Sequence, residues 1–278
     1  MRGRQKKLLQ QLGLWVLIVI ISVYALFPFY YAIITSFKSG SAIFEVTYWP
    51  TDFSLANYFG VLATGQFPRN IVNSIIVSFA VVVLSLLLAV TAAYALARVR
   101  FSGRGILLFT ILSVSMFPQI AVLAGLFEMV RAFGLYNNLL SLILAYMIFT
   151  LPFTVWVLTT FMRDLPIELE EAAIVDGAKP HQIIFQVFMP LMWPALVTTG
   201  LLAFIAAWNE FLFAVILTNS SRSQTVPVVI SALITPLRDV KYGEMCAASV
   251  VSMVPVFIFS LSLQKYLVRG LTAGAVKG

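Results

Sequence analysis

Between Lys7 and Lys38 the chain carries no charged residue, and the same gap recurs from Arg69 to Arg98, from Arg104 to Glu128 and from Arg131 to Arg163. Crossing a hydrocarbon core about 30 Å thick takes about 20 helical residues, so each run is long enough to span a membrane. Two further stretches qualify, one from Leu191 to about Thr218 that contains Glu210, and one from Met245 to Gln264. In lipid the backbone must satisfy its own hydrogen bonds, which leaves helices or closed barrels. A barrel strand alternates polar and apolar residues, whereas these runs are apolar all round. The expectation is an all-α integral membrane protein with six spans, at about 12–36, 71–97, 106–128, 138–162, 191–218 and 245–266, in a single membrane domain covering 1–278.

Composition agrees: 61% of the 278 residues are hydrophobic and 10% are charged, against about 25% charged in soluble domains. The first run follows Arg2, Arg4, Lys6 and Lys7, as a secretory signal would. Its apolar stretch is too long, and no small-residue cleavage site follows, so it reads as a retained first helix.

The net charge of +7 does not imply nucleic acid, because a phosphate-binding face needs its basic residues gathered on one surface. Here they flank the apolar runs, where they set orientation. With the N-terminus in the cytoplasm, the inner segments hold Arg2, Arg4, Lys6, Lys7, Arg98, Arg100, Arg104, Arg163, Lys179, Lys265, Arg269 and Lys277. The outer segments hold half as many: Lys38, Arg69, Arg131, Arg222, Arg238 and Lys241. Both termini are therefore expected in the cytoplasm, with outer loops at 38–70 and 219–244 and one long inner loop at 163–190.

One cysteine, Cys246, and one histidine, His181, exclude an internal disulfide and a histidine-based metal site. No Gly-x-x-x-x-Gly-Lys-Ser/Thr phosphate loop is present, and no convergent catalytic set is found. No catalytic residue, metal ligand or cofactor is expected on this chain. Ser85, Ala89, Ala93 and Ala97 form a four-residue-step stripe of small side chains in the second span, suited to close helix approach. Pro118, Pro152 and Pro255 are expected to kink their helices.

The inner loop is too polar for lipid. Asp164 as N-cap and Pro166 in the first turn predict a short helix over about 165–176, with Glu168, Glu170 and Glu171 near the positive end of its dipole. Gly177 can take the positive φ that ends it, and Pro180 can open a second helix. The product is an elbow whose Ala172, Ala173 and Gly177 leave one side nearly bare, so that another protein's backbone can approach. A helix resting on anionic lipid would carry lysine and arginine on its polar face instead, and this one is acidic.

The order Glu171-Ala172-Ala173, three residues, Gly177, nine residues, Val187-Phe188-Met189-Pro190 resembles the EAA loop of bacterial ATP-binding-cassette importers. That loop usually ends Ile-x-Leu-Pro, for which Val187 and Met189 are conservative replacements. Leu169 to Ala178, Trp208-Asn209-Glu210-Phe211 and the closing Gly270-Leu271-Thr272-Ala273-Gly274 through Lys277 resemble the MalG-like permeases for maltose, trehalose and related sugars. The resemblance implies a type I importer permease fold in a prokaryotic cytoplasmic membrane. It also implies a second, MalF-like permease, two ATPases that bind ATP and Mg, and an external sugar-binding protein. In that family the EAA loop contacts the ATPase, which assigns coupling to Glu171, Ala172, Ala173, Asp176, Gly177 and Pro190. The tail likewise reaches the ATPases, which assigns Gly270, Leu271, Thr272, Gly274 and Lys277 to that contact. The outer loop 219–244 would reach the binding protein.

Glu210 is the one acid deep within a span, and such a group is costly enough to suggest function. With Trp208 and Asn209 it could line the sugar pathway; alternatively, it fixes packing against the partner permease. Asn73, Ser74 and Gln119 read as ordinary interhelical hydrogen-bonding residues. A self-contained secondary transporter or channel is the competing function, but ion coupling usually needs several intramembrane ionisable groups.

Overall fold

The computed structural model describes residues 2–49, 53–63, 65–234 and 241–275. Every long element among them is a helix: α1 (Arg2–Ser36), α2 (Ala56–Ala63), α3 (Gln66–Ala97), α4 (Arg104–Ser115), α5 (Gln119–Ala132) and α6 (Leu139–Arg163). Then follow α7 (Glu168–Val175), α8 (Pro180–Gln182), a π-helical segment (Ile183–Phe188), α9 (Met189–Leu191) and α10 (Trp193–Trp208). The chain closes with α11 (Leu212–Leu217), α12 (Val226–Ala232) and α13 (Tyr242–Ala275).

Four helices are long and apolar enough to cross a membrane alone: Leu9–Ser36, Gln66–Ala97, Leu139–Arg163 and Tyr242–Lys265. They overlap the stretches read as the first, second, fourth and sixth spans. The other two spans are broken. The expected 106–128 span is the pair α4 and α5, bent by 91°. Pro118 is the cause: it stands in extended conformation (φ −60°, ψ 123°) just before α5, and its ring forces the chain out of the helical path. Pro152 and Pro255 lie inside continuous helices. Helix α10 meets the preceding Pro180–Leu191 helix at 83°, so the expected 191–218 span begins at Trp193. It is interrupted again at Asn209–Phe211 before α11 resumes.

The chain forms two compact units, Met1–Gly65 with Ile230–Met253, and Gln66–Val229 with Val254–Gly278. In the first, the end of α1 turns into the outer loop around Lys38, which is 1% exposed. Its ammonium donates to the carbonyls of Glu45 (2.9 Å) and Thr47 (3.1 Å) and sits 5.4 Å from the centre of the Tyr31 ring. Asn57 donates to the carbonyls of Ser36 (2.9 Å) and Lys38 (2.7 Å), and Phe37 stacks on Phe53 at 4.3 Å. This loop is built, not slack.

In the second unit, α3 and α6 pack side by side. The small stripe identifies its partner: Ser85, Ala89 and Ala93 are fully buried, and the Ser85 and Thr150 hydroxyls meet at 3.2 Å. Ala89, Ala93 and Leu96 of α3, Val155, Leu158 and Met162 of α6, and Phe188, Met192 and Ala195 share one apolar cluster. A second cluster joins Val77 and Val81 to Leu142, Ala145 and Tyr146 and to Phe213, Ala214 and Leu217 of α11. Buried threonines return their protons to the preceding turn, Thr154 to Thr150 O (2.8 Å) and Thr159 to Val155 O (2.7 Å), which satisfies those two hydroxyls within the apolar interior.

Candidate functional site

The elbow forms, with a shifted start. Helix α6 runs on to Arg163, Asp164 is its C-cap, and α7 begins at Glu168 behind Ile167. Asp164 is therefore not the N-cap expected from the sequence. Pro166 explains the shift: its ring disfavours helical geometry at Leu165, so one helix must stop before it and the next start after it.

The end of α7 follows the sequence. Gly177 has φ +80°, its N–H donates to Ile174 O (3.0 Å), and Ala178 N–H donates to Ala173 O (2.9 Å). These two bonds are the Schellman closure, and they need the left-handed residue at that position. Pro180 then occupies the first turn of α8, where the Gln182 side chain accepts the Lys179 N–H at 2.8 Å. Pro190 sits in α9, beyond the π-helical segment.

Burial divides α7 into two faces. Ala173 and Ala178 pack on the α3–α6 core, together with Leu165. Glu168, Glu171, Ala172, Asp176 and Gly177 are exposed. Ile174 and Val175 are too, at 57% and 87%. Two branched apolar side chains are thus held in the open at the tip of an acidic elbow, an exposed apolar pair that a reading of small residues misses. Their signal was present as the Ile-Val pair between the alanines and Asp176.

Glu170 takes the inner side. It accepts the Tyr94 hydroxyl at 2.7 Å and faces Arg98 Nε at 3.8 Å. Arg98 also donates to the carbonyls of Met162 and Leu165, each at 2.7 Å. The sequence shows Arg98 only as an orientation charge.

The C-terminal tail residues Gly270, Leu271, Thr272 and Gly274 lie in the last turns of α13, and Lys277 lies outside the described residues.

At the break after α10, Trp208 is 4% exposed and stacks on Phe204 at 5.7 Å, in a cluster that includes Phe259. Its indole belongs to the interior of the subunit. Asn209 is exposed, and its amide donates back to Ile205 O at 2.9 Å. The Glu210 carboxylate accepts the N–H groups of Phe213 (2.8 Å) and Ala214 (3.2 Å), closing the start of α11. Glu210→Ala should therefore lower the stability of the purified complex by about 1–2 kcal/mol, the usual worth of a helix cap. Thermal unfolding in detergent checks this, and an unchanged midpoint would remove the capping role.

Beyond α11, the turn 219–225 is fastened from two sides. Asn70 and Asn73 donate to Gln224 O at 2.7 and 2.9 Å, and Ser74 Oγ accepts Val226 N–H at 2.9 Å. Asn73 thus binds a loop and Ser74 the first residue of the short helix α12, rather than another span. From the α5–α6 connection, Asn137 Oδ1 accepts the N–H groups of Asn219 and Ser220, both at 3.1 Å, and the hydroxyl of Ser223. Nothing in the sequence marks Asn137.

A family model described as "Binding-protein-dependent transport system inner membrane component" matches residues 85–273. The chain is similar to the trehalose/maltose transport system permease protein MalG of Thermococcus litoralis, 37% identical over 276 residues, which cover 99% of each chain. It is also similar to the inner membrane ABC transporter permease protein YcjP of Escherichia coli, 35% identical over 98% of this chain and 99% of that one. Among solved structures, a chain of a bacterial ABC transporter involved in the import of the acidic polysaccharide alginate gives a TM-score of 0.82. It is 28% identical, with 93% of this chain and 96% of that chain covered.

Proposed function

Because the chain belongs to the inner membrane components of binding-protein-dependent transport systems, as a permease subunit of an ATP-driven sugar importer, we propose that its elbow is the contact through which the ATPase moves the spans. The ATPase partners bind and hydrolyse ATP, and an external binding protein delivers the sugar. A self-contained secondary transporter is excluded by that membership.

The observation that carries the elbow's role is its two-faced burial: Ala173, Ala178 and Glu170 are turned to the α3–α6 core, while Glu171, Ile174, Val175 and Asp176 are turned away from it. Exposed apolar branches next to acidic residues suit insertion into a groove with an apolar floor and basic rim. ATP-driven closure of two ATPases would push this handle, and a pair of permeases, this chain and a MalF-like partner, would rock between inward-facing and outward-facing states. Glu171, Ala172, Asp176 and Gly177 form the contact; Ala173, expected beside them, instead seats the helix on the core. Pro190 ends the return to the membrane, and the tail from Gly270 to Lys277 adds a second contact. In the pathway itself we place Asn209, whose side chain is exposed, while Trp208 and Glu210 hold the break that presents it.

A cysteine at Val175 in the assembled importer should cross-link to the ATPase subunit in high yield, and one at Glu171 likewise. Cross-links confined to lipid or to a second copy of this chain would refute the handle.

A further inference from the structure

Arg98 stands one residue beyond α3, and its side chain is 7% exposed. A guanidinium so far removed from water must be met by acceptors. Two of those acceptors are backbone carbonyls, Met162 O and Leu165 O, each at 2.7 Å. They belong to the end of α6 and the link to α7, where a finished helix leaves its last carbonyls without the regular i+4 partner. The charge is balanced by the carboxylate of Glu170 of α7, whose side chain is 13% exposed and whose Oε2 forms an ion pair, not a hydrogen bond, with Arg98 Nε at 3.8 Å. The guanidinium also lies 4.9 Å from the centre of the Phe188 ring, at the close of the π-helical segment.

One side chain thus touches the end of the fourth span, the elbow helix and the segment leading to the fifth span. Its neighbours close the arrangement. Tyr94, about one turn earlier in α3, holds the other Glu170 oxygen at 2.7 Å and faces Phe188 at 6.1 Å between ring centroids. Arg163 reaches back from α6 to Leu96 O at 3.4 Å. The covalent links of α7 are a proline break on one side and a left-handed glycine turn on the other, so the chain alone transmits little force through them. The side-chain network supplies the stiffness.

We propose that Arg98 is the positioning residue that fastens the elbow to α3 and α6, so that a push delivered to α7 moves both helices as one body. The adjacent glutamates divide the labour: Glu170 is tied inward, and Glu171 is left for the partner. This rests on the reading of the elbow as the ATPase contact.

The test uses the complete importer in proteoliposomes with its binding protein, and reads sugar moved per ATP hydrolysed. Arg98→Gln should keep its ATPases and its hydrolysis yet lower that ratio about tenfold, within the usual range of a coupling free energy. Arg98→Lys should recover only part of it, because one ammonium cannot serve two carbonyls and a carboxylate with the geometry of a planar fork. Tyr94→Phe and Glu170→Gln are milder and should lower the ratio in the same direction; they decide the matter if Arg98→Gln does not assemble. A normal ratio in Arg98→Gln, or in both milder variants, overturns the joint. The Val175→Cys cross-link separates the two readings. If it reaches the ATPase with or without Arg98→Gln while the ratio stays normal, the handle stands and the joint falls. If it never reaches the ATPase in the otherwise unaltered chain, the handle falls and the joint with it.

Discussion

Gly177→Trp should leave the protein inserted in the membrane and reduce sugar uptake about a hundredfold, while ATP hydrolysis continues. Two effects combine there, and they can be separated. The φ of +80° strains any L-residue, by about 1–2 kcal/mol. A Cβ at Gly177 would meet no atom of this chain within 4 Å, so the chain itself raises no steric objection. Gly177→Ala therefore reports the backbone term alone and should cost about thirtyfold at most, since about 1.4 kcal/mol corresponds to a factor of ten. The excess loss in the tryptophan variant measures the partner's groove. Equal uptake by both variants would show that nothing approaches this turn.

Asn137→Ala should be the most destabilising single change on the outer side of the second unit. Asn137 is the only non-glycine residue with positive φ, 60°, among the described residues. Its side-chain carbonyl collects two backbone N–H groups, at 3.1 Å each, and the hydroxyls of Ser220 and Ser223, while its amide donates to Ser220 Oγ at 2.9 Å. Truncation strands several part-buried donors at once, at a cost of about 3 kcal/mol if two of them find no water. Asn137→Gly restores the backbone term but none of the hydrogen bonds, and should recover about 1 kcal/mol. Thermal unfolding of the purified complex measures both, and protease cleavage within 219–225 should rise in both. An alanine variant as stable as the parent would mean the turn is held by Asn70 and Asn73 alone.

The membrane architecture was legible because solvent acts on long windows: a charge-free run of the right length has few alternatives in water. Gly177 was legible because the Schellman turn is a local requirement that one residue type satisfies. Three other features escaped, each for its own reason. Asp164 has the chemistry of an N-cap, yet the helix it would start is displaced by Pro166, so a proline two residues on outranked the cap. Trp208 and Asn209 are neighbours in sequence, but one is buried on Phe204 and the other exposed, a choice made by helix phase against α3 and α13. Arg98 and Asn137 find their partners 64 to 86 residues away along the chain, and no spacing rule reaches that far. The small stripe was visible as a packing surface, but only the fold names α6 as the helix that fills it.

The elbow helix has eight residues. Helices below about 12–15 residues barely persist in water by themselves, so this one owes its shape to the carboxylate tied at Glu170 and the alanines seated on the core. During biogenesis the elbow should then take shape late, after the second and fourth spans have met in the bilayer. On the proposed reading, a half-folded permease would offer its motor nothing to grip, and assembly itself would become the checkpoint against idle hydrolysis.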